Sequence, residues 1–175
     1  MRVTVYCGSK TGNDPAFAKA SRALGKWLCE NGHTLVYGGG NVGLMGLIAD
    51  TVLEGGGRVI GVIPEFLLGA EAGHTGLHTL EIVPDMSVRK NRMIELGDAF
   101  IAMPGGTGTL EEIAEVISLS KLGLHEKPCI FYDIGDFYGP LKELFRTMVE
   151  NGFLEASERD AVRFIKRPEE LAKIL

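Results

Sequence analysis

Nine consecutive residues, Pro104-Gly105-Gly106-Thr107-Gly108-Thr109-Leu110-Glu111-Glu112, set three glycines beside two adjacent carboxylates. An apolar run from Ala99 to Met103 leads into them and reads as a buried strand. Leu110, Ile113, Ala114, Val116, Ile117 and Leu119 then recur at helical spacing. A glycine turn between strand and helix gathers free backbone N–H groups at the positive end of a helix dipole, which suits an anion. Thr109-Leu110-Glu111-Glu112 also fits a capping box, with Thr109 as N-cap and Glu112 at N3, a purely helical task for that carboxylate. A second group is Arg89, Lys90 and Arg92, in the first turns of a helix expected from Asp85 through Leu96. Cations there oppose the dipole, and only Asp85 and Glu95 lie near in sequence. Their place after the fourth strand, beside the Gly105 loop, favours an anionic ligand over a solvated face. On that reading Arg89→Ala loses activity while the melting temperature holds or rises.

Other chemistry is weaker. Gly38-Gly39-Gly40-Asn41-Val42-Gly43 satisfies G-x-G-x-x-G, with Glu65 about 20 residues on, where a ribose-binding acid stands in a dinucleotide fold. The loop follows the second strand rather than the first, so a dinucleotide-dependent oxidoreductase rests on it alone. Gly8-Ser9-Lys10-Thr11 lacks the spacing of a Walker loop. His74 and His78 are four apart, but Gly73 and Gly76 oppose a helix there and no third ligand is near, so no metal site is expected. Gly-x-Ser-x-Gly is absent, and no lysine has the context of a pyridoxal-phosphate Schiff base.

The elements that must position these residues alternate regularly. Strands are expected at Val3–Cys7, Thr34–Tyr37, Arg58–Ile63, Thr79–Val83, Ala99–Met103, Pro128–Tyr132 and Ala161–Ile165. Helices are expected from Asn13 or Asp14 to Glu30, at Leu44–Glu54, Asp85–Leu96, Leu110–Leu122, Phe137–Glu150 and Pro168–Leu175, with a loop from Glu65 to Leu77. This pattern implies an α/β fold: a Rossmann-like, doubly wound parallel sheet with helices on both faces, in one domain over 1–175. Ligands bind beyond the carboxyl ends of such strands, where the polar and Gly-rich segments fall. The 175 residues are 45% hydrophobic and carry a net charge of −5, a poor basis for holding nucleic acid. Three cysteines without metal spacing fit reduced thiols, and no apolar run suits a membrane span, so a cytoplasmic protein is expected.

The motifs carry a family resemblance. Pro104 to Glu112 matches PGGxGTxxE, and Met86-Ser87-Val88-Arg89-Lys90 matches the MxxRK element before it. With Cys7-Gly8-Ser9, Tyr37-Gly38-Gly39-Gly40 and Gly43-Leu44-Met45-Gly46, the chain from Val3 to about Tyr138 resembles the LONELY GUY family. Its members are cytokinin riboside 5′-monophosphate phosphoribohydrolases, often mislabelled as lysine decarboxylases. The resemblance implies cleavage of the N-glycosidic bond of a nucleoside 5′-monophosphate to free base and ribose 5-phosphate, with no cofactor. It assigns Arg89 and Glu112 to catalysis and Gly105, Gly106, Thr107, Gly108 and Thr109 to the phosphate. Glu71, Lys90, Ser118, Ser9, Gly39 and Gly40 match positions that line the nucleotide, and a homodimer is the family's usual assembly. A non-catalytic nucleotide or cofactor carrier of the same fold is the alternative, and the intact Arg89 and Glu112 weigh against it.

Overall fold

The computed structural model describes residues 1–69 and 73–175. Its strands are Arg2–Tyr6 (β1), Thr34–Tyr37 (β2), Arg58–Pro64 (β3), Thr79–Val83 (β4), Ala99–Ala102 (β5), Cys129–Tyr132 (β6) and Val162–Ile165 (β7). The α-helices are Pro15–Glu30 (α1), Gly43–Glu54 (α2), Met86–Leu96 (α3), Thr107–Lys121 (α4), Gly139–Glu150 (α5) and Ala156–Ala161 (α6), with 3₁₀ turns at Glu65–Leu67 and Pro168–Lys173. The strands form one sheet in the order β4-β3-β2-β1-β5-β6-β7, and every pair is parallel.

Period-two alternation makes both faces apolar. Val3, Val5, Leu35, Tyr37, Val59, Ile101 and Ile130 pack under α1, α2 and the last 3₁₀ turn. Tyr6, Val36, Val62, Phe100, Ala102 and Phe131 pack under α3, α4 and α5. The chain steps outward from β1 to β4, then returns to place β5 on the other side of β1. Right-handed crossovers in opposite directions put their helices on opposite faces, which is the division seen. The reversal creates a switch point between β1 and β5, the place where open sheets of this kind form a crevice beyond the strand ends.

Local signals explain the helix starts. Asp14 accepts the Ala16 N–H at 2.8 Å ahead of Pro15, and Asp85 accepts the Val88 N–H at 2.8 Å. Three expectations are corrected. The helix after the glycine turn begins at Thr107 with Gly106 as N-cap and no side-chain cap, so Thr109 is at N3 and the capping box is not formed. The expected C-terminal helix is a 3₁₀ turn over Pro168–Lys173. The short α6, closed by a reciprocal Glu155–Glu158 capping box, was not expected. Among the described residues, no helix is long and apolar enough to cross a membrane.

Candidate active site

The crevice is built from backbone. At the switch point the Gly8 N–H donates to Pro104 O at 3.1 Å, and the Leu44 N–H donates to Gly8 O at 3.0 Å. These bonds join the loops after β1 and β5 to the start of α2. The first α4 amide to bond within this turn is that of Leu110, donating to Gly106 O at 3.2 Å. Helix geometry leaves the N–H groups of Thr107, Gly108 and Thr109 without an intrahelical acceptor. Gly106 and Gly108 have open space where a Cβ would stand. Gly105 is a different case: the side chain of the buried Thr109 fills the position of its missing Cβ, so only glycine lets the chain turn this tightly. The result is an uncapped, accessible row of amides, a cradle for an anion.

The second part of the site is charged and buried. Thr109, Glu112, Ile113 and Val116 form the buried face of α4, which places the Glu112 carboxylate inside an otherwise apolar stripe at 9% exposure. Arg89 lies on the buried face of α3 with Met93 and Leu96, and is 6% exposed. Its Nε donates to Val62 O at 3.1 Å and its Nη2 to Gly38 O at 3.3 Å, while Nη1 stands 3.5 Å from Glu112 Oε1. The guanidinium thus bridges the carboxyl ends of β2 and β3 to α4. A Cβ at position 38 would collide with the Arg89 guanidinium, which explains the first glycine of that triplet. Burial first, then the Glu112 carboxylate, pushes the Tyr6 phenol well above its ordinary range, so it stays neutral beside the pair.

β4 is an edge strand, three strands away from β1 and so not beside the Gly105 loop. Arg89 reaches the site because α3 crosses back beneath β3, β2 and β1. The three-cation cluster also separates. Lys90 Nζ pairs with Glu111 at 2.8 Å and Glu115 at 3.1 Å on α4, which raise its pKa, and Arg92 forks onto Glu81 of β4 at 2.7 and 3.1 Å. Of the three, Arg89 alone is buried. Long-range acids, invisible as neighbours in sequence, balance the other two.

Gly39 and Gly40 bond to residues that precede β4. The His74 N–H donates to Gly39 O at 3.0 Å, and Gly40 forms an antiparallel bridge with Gly73. The buried His74 ring is a latch: Nδ1 accepts the Gly76 N–H at 3.1 Å, which leaves Nε2–H to donate to Asp50 of α2 at 3.0 Å. Ser9 is exposed on the loop after β1, whose backbone packs against Gly43. Ser118 is exposed about 16 Å along α4 from Thr107, its hydroxyl donating to Ala114 O at 2.8 Å. Glu71 lies outside the described residues. The Gly38 loop does not offer its helix end to a dinucleotide, because Gly8 O takes the Leu44 amide and the Ser9–Lys10 backbone fills the space beside Gly43. Among the described residues, no cluster of three or more His, Cys, Asp or Glu could hold a metal ion.

Residues missed from sequence are Tyr6 and the carbonyls of Gly38 and Val62 that hold Arg89. Only the glycine at 38 left a signal, as a position where a close approach requires no Cβ.

Residues 45–175 match the family described as "Possible lysine decarboxylase". A "Probable cytokinin riboside 5'-monophosphate phosphoribohydrolase" of Oryza sativa subsp. japonica is 47% identical over 161 residues, 92% of this chain and 72% of that protein. The cytokinin riboside 5'-monophosphate phosphoribohydrolase of Rhodococcoides fascians is 45% identical over 91% of this chain and 81% of its own. One from Arabidopsis thaliana is 41% identical over 99% of this chain and 82% of its own. Among solved structures, the molybdenum cofactor binding protein of Rippkaea orientalis superposes with a TM-score of 0.74 at 22% identity, covering 99% of this chain and 93% of that one. A Moco carrier protein of Chlamydomonas reinhardtii gives 0.72 at 19%, covering 99% and 94%. Those two likenesses speak for the fold alone. The identities over nearly the whole chain go further: this chain belongs to the LONELY GUY family, whose curated members bear the name cytokinin riboside 5′-monophosphate phosphoribohydrolase.

Proposed function

We propose that this chain hydrolyses the N-glycosidic bond of purine nucleoside 5′-monophosphates, AMP or its N6-modified cytokinin forms. Water adds its oxygen to the anomeric carbon as the bond to the base nitrogen breaks, and the base leaves with a proton. The observation that carries this reading is the buried Glu112, paired with Arg89 of α3, one turn beyond an open amide cradle on α4. Glu112 stands about 7.5 Å along the α4 axis from Thr107, a separation comparable with the reach of a five-carbon sugar phosphate. A phosphate on the Gly105–Thr109 amides therefore brings the anomeric carbon towards the carboxylate. There Glu112 stabilises an oxocarbenium-like transition state and orients or deprotonates the attacking water. Arg89, tied to two strand ends, holds that carboxylate in register. In this reading Glu71, Lys90, Ser118, Ser9, Gly39 and Gly40 border the nucleotide, and the protein works in the cytoplasm as a homodimer. Support for the dimer comes from an apolar groove of about 710 Å³ between α4 and α5, lined by Leu110, Ile117, Leu144, Phe145 and Met148.

The test is turnover of AMP against adenosine, with base and ribose 5-phosphate quantified by chromatography. AMP should yield both products in equal amounts, and adenosine, which leaves the cradle empty, should react about 100-fold more slowly or worse. Comparable rates would remove the phosphate requirement. AMP bound without release of base would favour the carrier reading that the fold also allows.

A further inference from the structure

The bonding between β1 and β5 slips by one residue where the cradle begins. Met103 donates its N–H to Tyr6 O at 2.9 Å. In a regular parallel ladder the same residue would accept the Gly8 N–H on its own carbonyl. Here the Gly8 N–H bonds one residue further on, at Pro104 O. Met103 O thus loses its ladder partner at the point where the chain leaves the sheet. The Tyr138 hydroxyl takes that place, donating to Met103 O at 2.7 Å. Tyr138 is itself tightly held. It is 6% exposed, and its ring lies edge-on to Phe131 at 4.7 Å and Phe137 at 5.0 Å. Its N–H donates to Asp133 Oδ1 at 2.9 Å, and Lys142 Nζ grips the other oxygen of that buried carboxylate.

We propose that Tyr138 is a positioning residue for the phosphate cradle: its hydroxyl pins the slipped end of β5 and so aims the amides from Gly105 to Thr109. This role rests on the nucleotide reading above. Tyr138 touches no substrate. It fixes the peptide from which the cradle departs, and Asp133 and Lys142 fix Tyr138. Loss of the hydroxyl leaves Met103 O buried and unsatisfied, and the loop relaxes to find a partner. A looser cradle weakens the phosphate in ground and transition states alike, which raises KM and leaves kcat nearly unchanged.

The experiment compares wild type with Tyr138→Phe, and with Ile48→Val, a core truncation on the opposite face of the sheet. Readouts are kcat and KM for AMP, inhibition constants for ribose 5-phosphate and adenine, and melting temperature. Tyr138→Phe should raise KM for AMP and the ribose 5-phosphate constant together by about tenfold, with the adenine constant unchanged and kcat within about threefold. Ile48→Val should lower the melting temperature and move neither constant. A folded Tyr138→Phe protein with unchanged phosphate affinity overturns the proposal. If that variant does not fold, Lys142→Gln decides: a rise of about twofold to threefold in the same two constants supports the role, and no change refutes it. A wild type that turns over no AMP and binds no ribose 5-phosphate removes the nucleotide reading, and the role given to Tyr138 falls with it.

Discussion

Arg89→Ala separates a surface cation from a keystone. The substitution deletes two hydrogen bonds to backbone carbonyls, Val62 O at 3.1 Å and Gly38 O at 3.3 Å, and leaves Glu112 buried without its guanidinium at 3.5 Å. Removing one partner of a buried pair costs about 3–5 kcal/mol. The 3.5 Å separation is longer than a tight charge-assisted bond, so the lower end applies, about 3 kcal/mol. For a chain of this size each kcal/mol shifts the melting temperature by roughly 2–4 °C, giving a fall of about 6–12 °C. This reverses the outcome expected from sequence, where a cation opposing a helix dipole could be removed without loss of stability. Differential scanning calorimetry reads the stability, and base release from AMP reads the activity, which should vanish. The double variant Arg89→Met, Glu112→Leu should melt above Arg89→Ala, because apolar replacement of a whole buried pair is often neutral or better. An Arg89→Ala protein melting within about 2 °C of wild type, or above it, would refute the keystone role.

Two further substitutions probe the carboxyl end of β2. Gly38→Ala introduces a Cβ into the space of the Arg89 guanidinium and should both destabilise the fold and reduce turnover by at least tenfold; kinetics and melting on one preparation check it. Tyr37→Phe removes a buried hydroxyl that has no hydrogen-bond partner among the described residues, so urea unfolding should find it neutral or more stable by up to about 1 kcal/mol.

The sheet was legible because its strands are short apolar runs between glycine-rich turns, and Thr34–Tyr37 and Thr79–Val83 fall where the pattern sets them. Helix starts with a side-chain cap, at Asp14 and Asp85, were legible too. The start of α4 was not, because its cap is Gly106, which bonds through no side chain, while Thr109 offered a false cap three residues later. That displacement matters for function. It moves Glu112 from the first turn to the second, off the capping position and onto the buried face. Arg89 was legible as a candidate for the site but not as a buried residue. Its partners are backbone carbonyls of β2 and β3, and carbonyls carry no sequence signature. Lys90 and Arg92 misled for a related reason: Glu111, Glu115 and Glu81 become their neighbours only once α3 lies across the sheet. Tyr138 left no trace, since the one-residue slip at Met103 exists only in three dimensions.

If Glu112 is the carboxylate of a glycosidic cleavage, Glu112→Gln must uncouple binding from turnover. The amide keeps the shape of the side chain and one acceptor oxygen but removes the charge that faces the sugar. AMP binding by calorimetry and base release by chromatography are to be measured on the same folded protein. AMP affinity should stay within about threefold of wild type, because the cradle is backbone, and base release should slow by on the order of 10²-fold to 10⁴-fold. A folded Glu112→Gln protein that releases adenine at the wild-type rate would exclude Glu112 from the chemistry.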